Sequence, residues 1–171
     1  MAVGGADPVA MAREVERKFL VRDGGWKASV VEALVIRQFY LAALPGRSIR
    51  VRVTDAARAM LTLKFGGETR IRDEFEYEIP LRDAEAMENF AVGRVIEKSR
   101  HIVRHHELIF EVDVFAGELS GLVLAELETD DPVTDDALPA WLGREVTGDP
   151  AYYNATLALR APGPGQRAVA S

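Results

Sequence analysis

Along most of this chain, charge falls mainly on every second residue. Eight segments alternate polar and apolar side chains with a period of two, the pattern of extended strands whose successive side chains point to opposite faces. They are 14 to 21 (EVERKFLV), 35 to 41 (VIRQFYL), 48 to 54 (SIRVRVT), 59 to 65 (AMLTLKF), 72 to 79 (RDEFEYEI), 95 to 103 (VIEKSRHIV), 107 to 115 (ELIFEVDVF) and 122 to 129 (LVLAELET). The first carries Glu14, Glu16 and Lys18 on one parity, the third Arg50 and Arg52, and the fourth Lys64 beside Thr62. The fifth alternates Arg72, Glu74, Glu76 and Glu78 with Phe75, Tyr77 and Ile79. Lys98 and Arg100 follow on the sixth, Glu111 and Asp113 on the seventh, and Glu126 and Glu128 on the eighth.

A single amphipathic strand ordinarily shows its polar face to water. Such faces favour Thr, Ser and aromatic residues, whereas Glu and Asp are poor strand formers. Segment after segment here selects ionised groups, which calls for a shared cause. If the sheet closes into a barrel with the charged parity inside, eight strands leave room for one small ligand. Like charges 4 Å apart repel by about 4 kcal/mol at an effective dielectric of 20, against a net domain stability of about 5 to 15 kcal/mol. Carboxylates enclosed together therefore need cations, and the Arg and Lys residues need anions.

Short turns at 55 to 58 (DAAR), 66 to 69 (GGET) and 104 to 106 (RHH) favour antiparallel pairing. Helices are expected at 26 to 34, at 83 to 92 after Pro80, and at 150 to 160, where Pro150 suits a first turn. The expected architecture is α+β but mainly β: a closed eight-stranded antiparallel barrel with a few helices packed outside and at its ends. One domain over 13 to 160 is expected, between a flexible leader at 1 to 12 and a Pro/Gly-rich tail at 161 to 171.

The 171 residues carry a net charge of −6, which opposes a broad nucleic-acid surface, although a local basic cluster can still bind a small polyanion. No apolar run approaches the roughly 20 residues of a membrane-spanning helix. The absence of cysteine rules out disulfides and thiolate metal sites. Without a secretory signal at the N-terminus, the cytoplasm is the expected compartment.

Acidic groups gather on the first, fifth, seventh and eighth segments, and basic groups on the third, fourth and sixth, with Lys18 on the first. Such carboxylates suit a hard divalent cation bound through oxygen, hence Mg²⁺ or Mn²⁺. His101, His105 and His106 fall at a strand end and a turn and are not read as ligands. Carboxylate-held metal facing a comb of Arg and Lys fits a small polyphosphate. The chain lacks a GxxxxGK[ST] phosphate loop, a dinucleotide fingerprint and a recognisable nucleophile–His pairing.

In chain order, EVERK, RQFYL, SIRVRV, TLK, RDEFEYEI, EKSR, FEVDVF and AELE resemble the CYTH family, the triphosphate tunnel metalloenzymes, over about residues 12 to 160. The family's E-x-E-x-K motif is matched by Glu14, Glu16 and Lys18. The resemblance implies metal ligation by Glu14, Glu16, Asp113, Glu126 and Glu128, and triphosphate contacts from Lys18, Arg50, Arg52, Lys64, Lys98 and Arg100. Glu74, Glu76, Glu78 and Glu111 are further tunnel acids, and which couple on the fifth strand forms the family's acidic pair stays open. In short bacterial members a Tyr in RQ-x-YL and the Lys of EK-x-R act together in catalysis; their counterparts here are Tyr40 and Lys98. A packed strand aromatic is the other reading of Tyr40. Some members carry a C-terminal Lys where this chain has YYNATLA.

The implied activity is metal-dependent hydrolysis of inorganic triphosphate or a related small triphosphate. Formation of cyclic AMP from ATP, as in other members, is the nearest alternative. A non-catalytic polyphosphate-binding module and a merely solvated charged face are the others. The sequence leaves oligomeric state open, a homodimer included.

Overall fold

The computed structural model describes residues 15–66 and 73–160. The expected leader and tail lie outside these residues, as does most of the GGET turn. Nine strands form one antiparallel sheet: β1 Val15–Val21, β2 Val30–Leu44, β3 Arg47–Thr54, β4 Arg58–Phe65, β5 Asp73–Ile79, β6 Val92–His105, β7 Leu108–Phe115, β8 Val123–Thr129 and β9 Leu142–Glu145. Their spatial order is β5-β4-β3-β2-β6-β7-β8-β1-β9. Among the described residues the α-helices are two and short, α1, Leu81–Met87, and α2, Asn154–Leu159. Among the described residues no helix is long and apolar enough to cross a membrane.

The expected closed eight-stranded barrel is corrected in two respects. The ladder ends at β5 on one side and β9 on the other, so the sheet does not close. Closure would need the free edge of β1, and β9 takes it through Phe19↔Glu145 and Val21↔Leu142. This ninth strand was not expected, because LGRE has too few residues to display a period. It is held by burial of Trp141 and Leu142 beside Phe19, Phe110 and Leu127.

The helix expected at 26 to 34 is also overturned. Gly25–Ser29 forms a 3-10 turn, and β2 begins at Val30. Its first residues pair with β6, through Val30↔Val103, Ala33↔His101 and Leu34↔Arg100, so ladder bonds outweigh a local apolar pattern equally suited to a helix. The helix expected at 83 to 92 lies at 81–87, followed by a 3-10 turn at Glu88–Phe90. The one expected at 150 to 160 divides into a 3-10 turn at Pro150–Tyr152 and α2.

The DAAR turn joins β3 to β4 as expected. Asp55 and Ala56 take positive φ there, 52° and 51°, and the Asp55 side chain accepts from Val35 N at 2.8 Å, tying the hairpin to β2.

The apolar parity packs on the outer side of the sheet. Phe39, Val51 and Ala59 meet Ala84 of α1, while Phe19, Val103, Phe110, Val112 and Leu127 are covered by Trp26 and Trp141. A third cluster lies on the inner face. There Tyr40, Ile96, Phe115 and Leu124 pack against Leu157 and Ala158 of α2. Gly93 makes this docking possible: its φ is +73°, and a Cβ at that position would lie 2.3 Å from the carbonyl oxygen of Ala158. The inner face is therefore apolar where α2 covers it and mainly ionic along the rest.

Candidate functional site

Residues opposite each other in an antiparallel ladder share a face, so the register assigns every charged side chain. Glu16 faces Glu128, and Lys18 faces Glu126, across β1 and β8. Glu111 then faces Glu126, and Asp113 faces Arg100. Ile36 faces Lys98, Gln38 faces Arg52 and Tyr40 faces Arg50. Arg50 in turn faces Thr62, which faces Glu76, while Lys64 faces Glu74 and Met60 faces Glu78. One face thus brings together the sequence-derived candidates from β1 to β5. All three glutamates of β5 lie on it, so this register does not choose between the overlapping couples. Glu14 lies outside the described residues.

The deepest part is a floor built by β6 and β7. Arg100 donates from Nε and Nη2 to the two oxygens of Asp113, each at 2.8 Å, and Lys98 Nζ donates to Oδ2 at 2.5 Å. The Lys98 and Asp113 side chains are 0% and 3% exposed. Arg100 also pairs with Glu111 and reaches Glu126 at 3.7 Å. Two cations thus share one fully buried carboxylate. Burial alone would raise the Asp113 pKa, but its bonds to Arg100 and Lys98 outweigh that and hold it low. The Arg100 guanidinium is held charged by the same carboxylate, against the opposing effect of burial. Lys98 is the surplus cation: burial pushes its pKa down to about 8, with Arg100 adding to the depression and Asp113 opposing it.

Tyr40 and Lys98 are not joined to each other by a hydrogen bond. Lys98 instead has Asn154 Oδ1 at 3.4 Å and the Phe115 ring at 5.3 Å from its nitrogen. Tyr40 is buried within the inner apolar cluster. Burial raises its phenol pKa, while Arg50 and Arg52 nearby oppose the rise. It is at once a packed aromatic and a neighbour of the cationic comb.

Around this floor the pairs loosen. Lys18 lies 2.9 Å from Glu126 and 3.5 Å from Glu16, whose side chains are 20% and 61% exposed. Arg50 Nη2 donates to Thr62 Oγ1 at 3.2 Å, and Thr62 donates on to Glu76 at 2.9 Å. Lys64 meets Glu74 at 2.8 Å near the rim. Arg52 belongs to none of these ion pairs; burial, with Arg50 and Arg100 nearby, lowers its pKa to about 10.

Among the described residues the ionised metal donors on this face are carboxylates, a chemistry that fits a hard divalent ion. Among the described residues no group of three Asp, Glu or His stands ready to hold one. Lys18 draws on Glu16 and Glu126, and Asp113 is engaged by Lys98 and Arg100. Glu16, Glu126 and Glu128 are neighbours on this face through the β1–β8 register and could serve as oxygen donors to a cation.

Three inner-face neighbours were absent from the sequence-derived site: Gln38, Asn154 and Tyr153. Gln38 stands on the same parity as Tyr40, a signal present within RQFYL, but a neutral amide does not stand out in a search for charge. Asn154 beside Lys98, and Tyr153 with its ring 5.8 Å from Lys18 Nζ, arrive from the C-terminal segment and have no periodicity to reveal them.

The sequence profile of the CYTH domain matches residues 12–160. An inorganic triphosphatase of Acetivibrio thermocellus is 42% identical over 149 residues, 86% of this chain and 94% of that protein. An inorganic triphosphatase of Nitrosomonas europaea is 37% identical over 153 residues, covering 87% and 99% respectively. The crystal structure of the inorganic triphosphatase NE1496 superposes with a TM-score of 0.66 at 36% identity, covering 90% of this chain and 99% of that one.

Proposed function

Since the chain belongs to the CYTH family, we propose that it hydrolyses a phosphoanhydride bond of inorganic triphosphate with the help of a divalent metal ion. The carrying observation is the convergence of Lys18, Arg50, Arg52, Lys64, Lys98 and Arg100 on one sheet face that also bears Glu16, Glu126 and Glu128. Neither neutral ligands nor simple cations need such a comb, whereas a triphosphate presents several anionic oxygens to it.

Glu16, Glu126 and Glu128 would hold Mg²⁺ or Mn²⁺, with Glu14 alongside them in sequence. The bound ion supplies Lewis-acid stabilisation of charge on the phosphate oxygens. Lys18, Arg50, Arg52, Lys64 and Arg100 bind the phosphate oxygens and orient the chain of phosphoryl groups for in-line attack by water. Asp113 anchors Lys98 and Arg100 in position. In this reading substrate binding opens the now solvent-sealed Lys98 nitrogen to the attacking water, whose proton it accepts when neutral, its pKa being lowered to about 8 by burial. Tyr40 packs beside Arg50 and keeps that guanidinium at the phosphate. The part of the inner face covered by α2 excludes water behind the reacting groups.

The test is a substrate panel of inorganic triphosphate, ATP and thiamine triphosphate with Mg²⁺ or Mn²⁺, following phosphate, pyrophosphate and cyclic AMP together. Metal-dependent release of phosphate and pyrophosphate from inorganic triphosphate is expected. Cyclic AMP as the main product from ATP, or ligand left intact after long incubation, would overturn the proposal.

A further inference from the structure

Gln38 is fully buried in the sheet, and neither its amide nitrogen nor its amide oxygen has a hydrogen-bond partner among the described residues. It lies on the inner face, directly opposite Arg52 on β3 and Ile96 on β6. A buried amide with both ends unmade is expensive, and a methionine or leucine would fill the same space without that penalty. The neighbour opposite shares the deficiency: Arg52 Nε is also buried and without a partner. An unmade acceptor thus stands on the strand adjoining an unmade donor.

Charge explains why an amide suits this position. Lys98 and Arg100 are partly neutralised by Asp113, Lys18 by Glu126, and Lys64 by Glu74. Arg52 alone among these site cations lacks such a partner, with Arg50 and Arg100 close enough to disfavour its charge. A carboxylate at position 38 would relieve that crowding and cancel the field available to an anion. An amide carbonyl can accept from the guanidinium while leaving its full charge in place.

On the reading of the site as a triphosphate site, we propose that Gln38 is the positioning residue of Arg52. Its neutral amide orients the guanidinium towards the phosphate oxygens without neutralising it. Gln38 thereby helps set affinity for the polyanion, acting chiefly through Arg52.

The test compares wild type with Gln38→Met, Gln38→Glu, Arg52→Met and the Gln38→Met/Arg52→Met double variant. Melting temperature, KM and kcat for inorganic triphosphate, and triphosphate-induced thermal stabilisation without metal, are measured for each. Gln38→Met is expected to melt at or above the wild-type temperature while KM rises about tenfold and kcat stays within about threefold, the loss of one hydrogen-bonded contact. Gln38→Glu is expected to raise KM further, by about thirtyfold or more, because it neutralises Arg52. In the Arg52→Met background, Gln38→Met is expected to add less than about twofold. Wild-type KM in Gln38→Met, or a full effect persisting without Arg52, would overturn the proposal. If Gln38→Met fails to fold, a wild-type KM in Gln38→Glu overturns it equally. A wild-type protein that neither binds nor cleaves triphosphate overturns the triphosphate reading itself, and this proposal with it.

Discussion

The floor on β6 and β7 and the rim on β5 are written in the same alternating code, yet they are physically different objects. Lys98, Arg100 and Asp113 are sealed from solvent, and each carboxylate oxygen has a defined donor. Glu74, Glu76 and Glu78 lie on an open sheet edge, exposed throughout. Ion pairs in the first region are desolvated and geometrically fixed; those in the second are screened and adjustable. The contrast separates a preorganised, buried floor from an adaptable rim, which alternation alone does not distinguish.

The largest effect expected on this contrast comes from Asp113→Ala. It leaves two buried cations facing each other without their carboxylate, and about 3 to 5 kcal/mol of stability should be lost in denaturant unfolding. A loss below about 1 kcal/mol would mean that the floor is solvated like an ordinary surface pair.

Lys98→Met separates chemistry from folding. It removes the surplus cation and leaves the Arg100–Asp113 pair, so the melting temperature should hold or rise while kcat falls by about 10² to 10⁴-fold. Its pH dependence has a definite sign. With a folded pKa of about 8 against an ordinary value of 10.5, the folded state binds fewer protons between those values than the unfolded one. Stability contributed by this group therefore rises as pH increases from about 8 to 10.5, whereas kcat should rise around a midpoint near 8 and level off above it. In Lys98→Met both dependences should vanish; a pH–rate limb that survives unchanged would assign the proton to another group.

Gly93→Ala sharpens the role of α2. The positive φ and the close approach to Ala158 oppose a Cβ, at a cost of about 1 to 3 kcal/mol. Amide exchange should show faster opening of 154–159 than of β6, with Lys98 losing its Asn154 neighbour. Exchange at the wild-type rate would contradict that packing. The smallest effect belongs to the rim. Glu74→Gln should change stability by less than about 1 kcal/mol, because Lys64 and Glu74 are both substantially exposed. A loss comparable to that of Asp113→Ala would erase the distinction between floor and rim.

Much of this face was legible because a β-strand converts sequence parity into spatial side. Arg50, Arg52, Lys98, Arg100, Glu126 and Glu128 needed only correct pairing to converge, which the hairpins supplied in part and the long-range β2–β6 and β1–β8 ladders completed. Closure was not legible, since parity carries no information on which edges bond, and the four-residue β9 decided that question. The stretch 26 to 34 misled because Val30, Val31 and Leu34 serve either a helix face or a strand, and only contact with β6 chooses. Gln38 escaped notice for a different reason: its significance lies in bonds it does not make, which depend on burial and on Arg52 across the ladder.

The most direct measurement is a crystal structure with Mg²⁺ and a non-hydrolysable imidotriphosphate. The phosphate chain should lie along the inner face, contacted by Lys18, Arg50, Arg52 and Arg100, with the metal on Glu16, Glu126 or Glu128. Phosphates bound on the outer apolar side, or at a place remote from both Arg52 and Glu126, would contradict it.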